Sequence, residues 1–599
     1  MKIYIFLFFL IIITSKCFSQ DRIIARYAGG EISETEFKNR YELSPQVVDP
    51  LFGADSAKQQ LLASMIAEKL WAKEAELSGF VSNPDLQGYL GVLRKMFIRD
   101  QLFKKVIEPK ITISGTDIQH AQEMNKYILS LLILSNNDSS VIAGMYNELN
   151  NNKISFDSLL LQQTSPGAKD VYVIHYGDMT KEWIENILFE LKVNQYTAPI
   201  RDGNLWLIFK LVRKDDNPGE PKDPLKTYKY RLKERRVREA GELYLSNLLK
   251  NVKINFNEKN VQLLSERLLL QIKSVNKISG NDTVLYLNEK NIYTLRDEMS
   301  TEFLHQEIIR FPGKSVTVSE ILDYFAFHGF SIRSSNLKYI KGKLVKDLQQ
   351  ITEEEYLYRE GLHTIPNAET AAELELSVWK ENALGQLIRN RYIDSANVSE
   401  NQVNDYYSKM NSSGEAIGKI QLSIAAHNDL DTMSKIMDLL NSGADFDKLA
   451  MLYKQNKYAA NSPMPYSHFA PFDDKLRLYK YGDIIGPIKV DSTYYLMKVM
   501  KVKEADSLFI KPFEAVKKDL QLMLKIKAVE KLMNKKTAEL AVKFGLDINS
   551  NVMKDVKVID IPTFVYRFIG FGGRIAAVPF TTPMYMWMKE YQSKKKQMP

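Results

Sequence analysis

The apolar positions of the chain switch repeatedly between a helical period and a strand-like one. Ile23 to Ala28 reads as a short strand, Gly29-Gly30 as its turn, and Ser33 with Glu36 as a capping box that opens a helix. Leu62, Met65, Ile66 and Leu70 then keep helical spacing. Tyr127 to Leu134 reads as a strand, Val141 to Leu149 and Phe156 to Gln162 as helices, and Trp206 to Val212 as a closing strand. Asp215 to Pro224, with three Pro and one Gly, interrupts the pattern as a linker, and a long helix to about Lys250 follows. A final helix from Pro512 to Phe544 carries the stripe Phe513, Val516, Leu520, Met523 and Leu524, with Gly545 as its stop.

This series occurs twice, in segments about 285 to 290 residues apart. Ile113-Ser114 before Asp117-Ile118 recurs as Val398-Ser399 before Gln402-Val403, and Phe156 to Leu160 recurs as Phe446 to Ala450. Trp206 to Leu211 recurs as Tyr494 to Val499, and Asp223-Pro224-Leu225 as Lys511-Pro512-Phe513. Four anchors in one order indicate two copies of one unit. A length of 599 residues fits several domains better than one core.

The first residues have the pattern of an export signal. Lys2 precedes an apolar run from Ile3 to Ile13, shorter than the roughly 20 residues that span a bilayer. Cys17 and Ser19 set small residues at the positions a signal peptidase reads, which puts cleavage after Ser19. Lys16 stands where a lipid-attachment motif needs Gly, Ala or Ser, so Cys17 is expected to leave with the signal. Cys17 is the single cysteine, so the mature chain is expected to have neither disulfides nor thiolate chemistry. It would carry 79 basic against 73 acidic residues, a net charge of +6 that makes no case for nucleic acid.

Within each unit the order is a strand, a helix with an F-x-x-L-A core, an L-x-x-G-x-x-x-x-P-[IV] segment, and a last strand ending in K-[VL]. In the first copy these are Phe156 to Leu160, Leu191 to Ile200 with Asn194 in place of the glycine, and Leu207 to Leu211. In the second they are Phe446 to Ala450, Tyr479 to Ile488 and Tyr495 to Val499. Each set resembles a parvulin-type (PpiC/SurA-like) peptidyl-prolyl cis-trans isomerase domain. The flanking helices, and the opening Ile24 to Ser33, resemble those of SurA-like periplasmic chaperones. The resemblance implies an α+β protein with a helical chaperone body and two parvulin-like domains, each a small antiparallel sheet with helices. The expected division is 1–19 signal peptide, 20–123 helical domain of the first unit, 124–215 first parvulin-like domain, and 216–255 linker and long helix. Then follow 256–416, the helical region of the second unit, 417–505, the second parvulin-like domain, 506–546, the C-terminal helix, and 547–599, an aromatic-rich tail.

Where the family has histidines on the first and last strands, the resemblance falls on Leu131 and Leu207 in the first copy and on Ile424 and Tyr495 in the second. The family's Cys or Asp falls on Pro166. The apolar pair that receives a proline ring matches Met179 and Trp183, then His468 and Phe472. Such residues are more often plain core than pocket. The seven histidines, His120, His175, His305, His328, His363, His427 and His468, lack metal-ligand spacing, so neither a metal nor a cofactor is expected. The basic run Lys226 to Arg238 reads as a solvated face paired with Glu234, Glu239 and Glu242. The tail from Phe564, with Pro579, Pro583 and Trp587, reads as an extended segment docked on the protein's own apolar groove; contact with a membrane surface is the alternative.

The resemblance therefore implies an exported chaperone that binds unfolded or nascent envelope proteins through apolar clefts, with isomerase activity lost. An active prolyl isomerase and an envelope scaffold with one fixed partner are the rival functions.

Overall fold

The computed structural model describes residues 21–44, 53–162, 170–217, 219, 223–275, 285–311, 314–395, 397–412, 419–428, 430–441, 443–453, 462–469, 476, 479–490, 493–503, 513–559 and 565–596. The expected signal segment, Pro166 and Phe472 lie outside the described residues.

β1 (Ile23–Tyr27) and β2 (Gly30–Ser33) form the opening hairpin, turning at Gly29, whose φ of +88° is a left-handed value that glycine adopts without strain. Ser33 accepts from the Glu36 amide and caps α1 (Glu34–Glu42). The Glu36 carboxylate pairs with Lys69 at 2.8 Å. The long helices α2 (Gly53–Leu77) and α3 (Pro84–Val106) and the short α4 (Gly115–Met124) follow.

The first sheet is built from β3 (Tyr127–Asn136), α5 (Ser139–Asn150), α6 (Phe156–Gln162), β4 (Tyr172–His175), α7 (Glu182–Glu190), β5 (Ile200–Asp202) and β6 (Leu205–Asp216), with strand order β4-β3-β6-β5 and every pair antiparallel. Asp223 caps α8 (Pro224–Leu249), where proline's missing donor is harmless, and β7 (Asn255–Phe256) follows.

The region expected to be helical after residue 256 contains strands as well. α9 (Glu258–Val275), β8 (Leu285–Leu287), α10 (Glu289–Asp297) and α11 (Thr301–Leu304) lead to the hairpin β9 (Glu307–Phe311) and β10 (Lys314–Thr317). A full Thr317–Glu320 capping box then opens α12 (Val318–His328). β11 (Phe330–Ile332), α13 (Leu337–Thr364), α14 (Ala368–Ser395) and α15 (Glu400–Ser412) complete the region. The series β9-β10-α12 repeats β1-β2-α1, down to the hydroxyl cap.

A second sheet follows, from β12 (Lys419–His427), α16 (Leu430–Asn441), α17 (Phe446–Leu452), β13 (Met464–Pro465), β14 (Ile484–Val490) and β15 (Thr493–Lys503). Its order, β13-β12-β15-β14, reproduces that of the first sheet position by position.

The units are interlocked at their ends. After the long helix Phe513–Lys543 comes β16 (Asp547–Ile548), which pairs with β1; after α8 comes β7, which pairs with β9. Each unit's last short strand thus completes the opening hairpin of the other. One apolar core joins both ends of the chain, with Phe37, Trp71 and Phe97 packed against Leu384, Met533 and Trp587. A second core gathers α9, α10, α12 and α13 around Leu268, Ile292, Phe325 and Leu344. The tail is partly regular: β17 (Tyr566–Phe568) and β18 (Arg574–Ala576) form a hairpin, and Trp587–Lys596 is a helix. Among the described residues no helix is long and apolar enough to cross a membrane.

Candidate functional site

Side chains alternate across each sheet, so each strand serves two apolar layers. In the first sheet Leu129 and Leu131 enter a cluster with Ile184 and Leu188 of α7 and Tyr228 and Leu232 of α8. Leu134 and Ile208 face Ile142 of α5 and Phe156 of α6 on the other side. The α7 face holds the positions that the resemblance singles out.

Both sheets carry a bulge where the first and last strands pair, with the extra residue on the last strand: Val212 opposite Ser130/Leu131 and Met500 opposite Gln421/Leu422. Both clamp the last strand in the same way. Asn194 donates its amide to Leu211 O at 2.7 Å and Leu211 donates to Gln195 O at 2.9 Å; Gly482 donates to Val499 O and Val499 to Asp483 O, each at 2.9 Å. Asn194 and Gly482 have φ of +70° and +90°. Asparagine tolerates that region better than most side chains, which explains its presence where the motif has glycine.

The cross-strand pairing gives the registration of the two copies. Leu131 pairs with Leu211 as Leu422 pairs with Val499, and Ile133 pairs with Phe209 as Ile424 pairs with Met497. The structural counterpart of Ile424 is therefore Ile133, and Leu131 corresponds to Leu422. Leu207 and Tyr495 do correspond, facing Ser135 and Ala426. A continuous apolar run such as Leu131 to Leu134 leaves register undefined by hydrophobic pattern alone.

In the first copy Leu131 is 1% exposed, and half-buried Leu207, Ile133 and Met179 pack on the same cluster. Trp183 does not: it is 47% exposed at the start of α7, one turn before the exposed Ile187. On the neighbouring edge strand Val171, Tyr172 and Val173 are exposed too, beside His175. In the second copy Ile424 and Tyr495 are buried together with Tyr466 and Phe469. His468 stands in the 3-10 turn Tyr466–Phe469 that supplies those two rings. The first copy thus offers an open aromatic and aliphatic surface beside a buried cluster, and in the second copy the described residues at the matching strand positions are buried.

Charge is concentrated beside the first site, in residues that the pattern of the sequence did not single out. Glu185, fully buried, accepts from the amides of Gly177 (2.9 Å) and Met179 (3.2 Å) and pairs with Arg235, which is 3% exposed and donates to Tyr176 Oη at 3.3 Å. Arg236 bridges Asp117 at 2.8 Å and Glu182 at 3.0 Å. Burial pushes the Glu185 carboxyl up, against the pull of Arg235. Burial also pushes on Glu182, but Arg236 and Arg235 outweigh it and hold that carboxyl below its usual range. The Arg236 guanidinium holds Asp117 well below the carboxylate range. The basic run on α8 is therefore not wholly a solvated face. Tyr228, Leu232 and Arg235 recur at helical spacing and are buried together, a period visible in the sequence.

No family model matches the chain. A parvulin-like PPIase of Rickettsia bellii is 25% identical over 231 residues, covering 35% of this chain and 79% of the relative. A foldase protein PrsA of a Geobacillus strain is 27% identical over 139 residues, covering 22% of this chain and 46% of the relative. A crystal structure of the peptidylprolyl isomerase PrsA from Bacillus cereus aligns with 42% of this chain and 91% of its own at 20% identity, with a TM-score of 0.18. The protein is of α+β class and, over part of its length, is similar to parvulin-type peptidyl-prolyl isomerases. Among those it is similar to PrsA foldases, and its two four-stranded sheets share one strand order.

Proposed function

We propose that the protein is an exported, periplasmic chaperone that holds unfolded envelope and outer-membrane proteins on apolar surfaces, without catalysing prolyl isomerisation. The observation that carries this reading is the apolar filling of both sheet faces at the family's histidine positions. Leu131, Ile133 and Leu207 in one copy, and Ile424 in the other, have no polar side-chain atom to offer a twisting peptide bond. Tyr495 is buried in a mixed aliphatic and aromatic cluster with Tyr466 and Phe469. Lowering a rotation barrier of roughly 18 to 20 kcal/mol needs contacts that strengthen as the bond twists. Holding a client needs only exposed apolar area, which Trp183, Ile187 and, on the edge strand β4, Tyr172 and Val173 supply.

The test is light scattering of an unfolded outer-membrane protein diluted from denaturant, with and without an equimolar amount of the mature chain and no ATP. Suppressed aggregation that weakens in Trp183→Ala is the expected result. Aggregation unaffected across several clients would replace this reading with a scaffold that has one fixed partner.

A further inference from the structure

The tail crosses a groove whose walls are polar where a purely structural seam would be apolar. Between the β17–β18 hairpin and the helix Trp587–Lys596, residues 577–586 run over α1, α2 and α14 as neither helix nor strand. Pro579 and Pro583 bias the residues before them toward an extended path. Side chains of the body meet the main chain of this strap: Asn382 Nδ2 donates to Phe580 O at 2.8 Å, and Met584 N donates to Ser64 Oγ at 2.9 Å. Gln386 donates to Thr582 Oγ1 at 2.5 Å, and Arg40 donates to Thr581 Oγ1. Arg40 and Ser64 are almost fully buried, and Glu68 pairs with Arg40 at 2.9 Å and accepts from Asn382 at 2.6 Å.

Burying such a set is costly unless each group finds a polar partner, and here the partners include a polypeptide backbone and its hydroxyls. The strap is only half buried, with Pro583 exposed and Met586 45% exposed, whereas Trp587 just after it is completely buried and bonds to Ala63 O at 3.1 Å. A fully buried helix start thus follows a strap that is held by hydrogen bonds and only partly covered.

We propose that the groove formed by Arg40, Ser64, Glu68, Asn382 and Gln386 is a second polypeptide-binding site, taking an extended client segment with proline, hydroxyl and aromatic side chains, and that residues 577–586 are its resident competitor. This rests on the chaperone reading, and adds a site in the helical body to the surface on the parvulin-like domain. Recognition through a main-chain carbonyl and amide is tolerant of sequence, as holding varied clients requires. The strap's Phe580 lies edge-on to Tyr494 of the second sheet at 6.0 Å, so displacing the strap also frees that contact.

The experiment uses the full mature chain with residues 577–586 replaced by a Gly/Ser linker of equal length, which keeps Trp587 and its helix in place. The probe is a fluorescent peptide with the sequence of residues 577–586, read by anisotropy. An occupied groove lowers apparent affinity by the fraction of time it is free, so the linker chain should bind the peptide about tenfold tighter than the natural chain. Asn382→Ala in the linker chain should weaken that binding about fivefold, by loss of a main-chain hydrogen bond. Thr582→Ala in the natural chain, which loosens the strap and leaves the groove's own side chains intact, should raise peptide affinity in the same direction and serves if the linker chain does not fold. Equal binding by natural, Thr582→Ala and linker chains, or indifference to Asn382→Ala, would overturn the proposal. Suppressed client aggregation with no peptide binding would remove the groove and leave the chaperone reading standing. Peptide binding without suppression would do the reverse.

Discussion

The two sheets share strand order, the position of a bulge and a left-handed residue that clamps the last strand, yet they are mounted by different physics. The first is fastened to α8 by buried charge, with Arg235 against Glu185 and Arg236 against Asp117 and Glu182. The second meets the tail through lighter contacts: Arg574 donates to Ser434 Oγ at 3.0 Å, and Phe580 lies against Tyr494. A buried ion pair tolerates one geometry, because each charge is costly without its partner. A hydroxyl bond and a ring edge are each worth only about 1 kcal/mol and are readily exchanged. Duplication thus produced two copies of one scaffold, one fastened to α8 by ion pairs and one that meets the tail through a hydroxyl bond and a ring edge.

The largest effect expected is at the ion-paired mount. Arg235→Ala strands the Glu185 carboxylate in the core, and equilibrium denaturation should show a loss of about 3–5 kcal/mol. A midpoint unchanged from the natural chain would erase the contrast between the sheets. The shared clamp should respond unequally: Gly482→Ala places a β-carbon in the left-handed region, costing about 1–2 kcal/mol by the same assay, whereas Asn194 already has one there, so Asn194→Ala loses only asparagine's better tolerance of that region, less than about 1 kcal/mol. Equal costs at the two positions would show that asparagine gains nothing over alanine at this turn. Arg574→Ala, at the lighter mount, should cost about 1 kcal/mol.

The smallest effect is a pH dependence. Asp117 and Glu182 are depressed in the folded state, so their contribution is complete above the ordinary carboxylate range of about 4 and is lost as pH falls through their folded values. Glu185, raised by burial, runs the other way, its contribution declining as pH rises through its folded value. Asp117→Asn should therefore flatten the acid limb of a stability–pH profile; an unaltered limb would remove Asp117 from the mount.

The repeat was legible because each copy keeps its own period and turn residues, and the motif spacing led to the correct last-strand pair, Leu207 and Tyr495. The first-strand pair was misregistered because Leu131, Leu132 and Ile133 are all apolar, so the sequence pattern alone does not say which of them stands opposite Phe209. The segment of the β9–β10 hairpin carried readable signals in the sequence, the dipeptide Pro312-Gly313 and Thr317 three residues before Glu320, within a stretch otherwise taken as helical. The exchange of β7 and β16 had no such signal: two-residue strands pair by tertiary placement, and nothing in Asn255-Phe256 or Asp547-Ile548 names a partner. Arg235 was hidden in a run of similar charges, distinguished only by its spacing from Tyr228 and Leu232. Trp183 was expected to be core more often than pocket, and its exposure follows from its place on the outer side of α7, one turn before Ile187.

The central claim, that these parvulin-like domains bind without catalysing, is tested most directly by a protease-coupled assay of a proline peptide with the purified mature chain. The account predicts a cis-to-trans rate indistinguishable from the uncatalysed one at any concentration of the protein. A rate that rises in proportion to added protein, to the level of an intact parvulin, would contradict it.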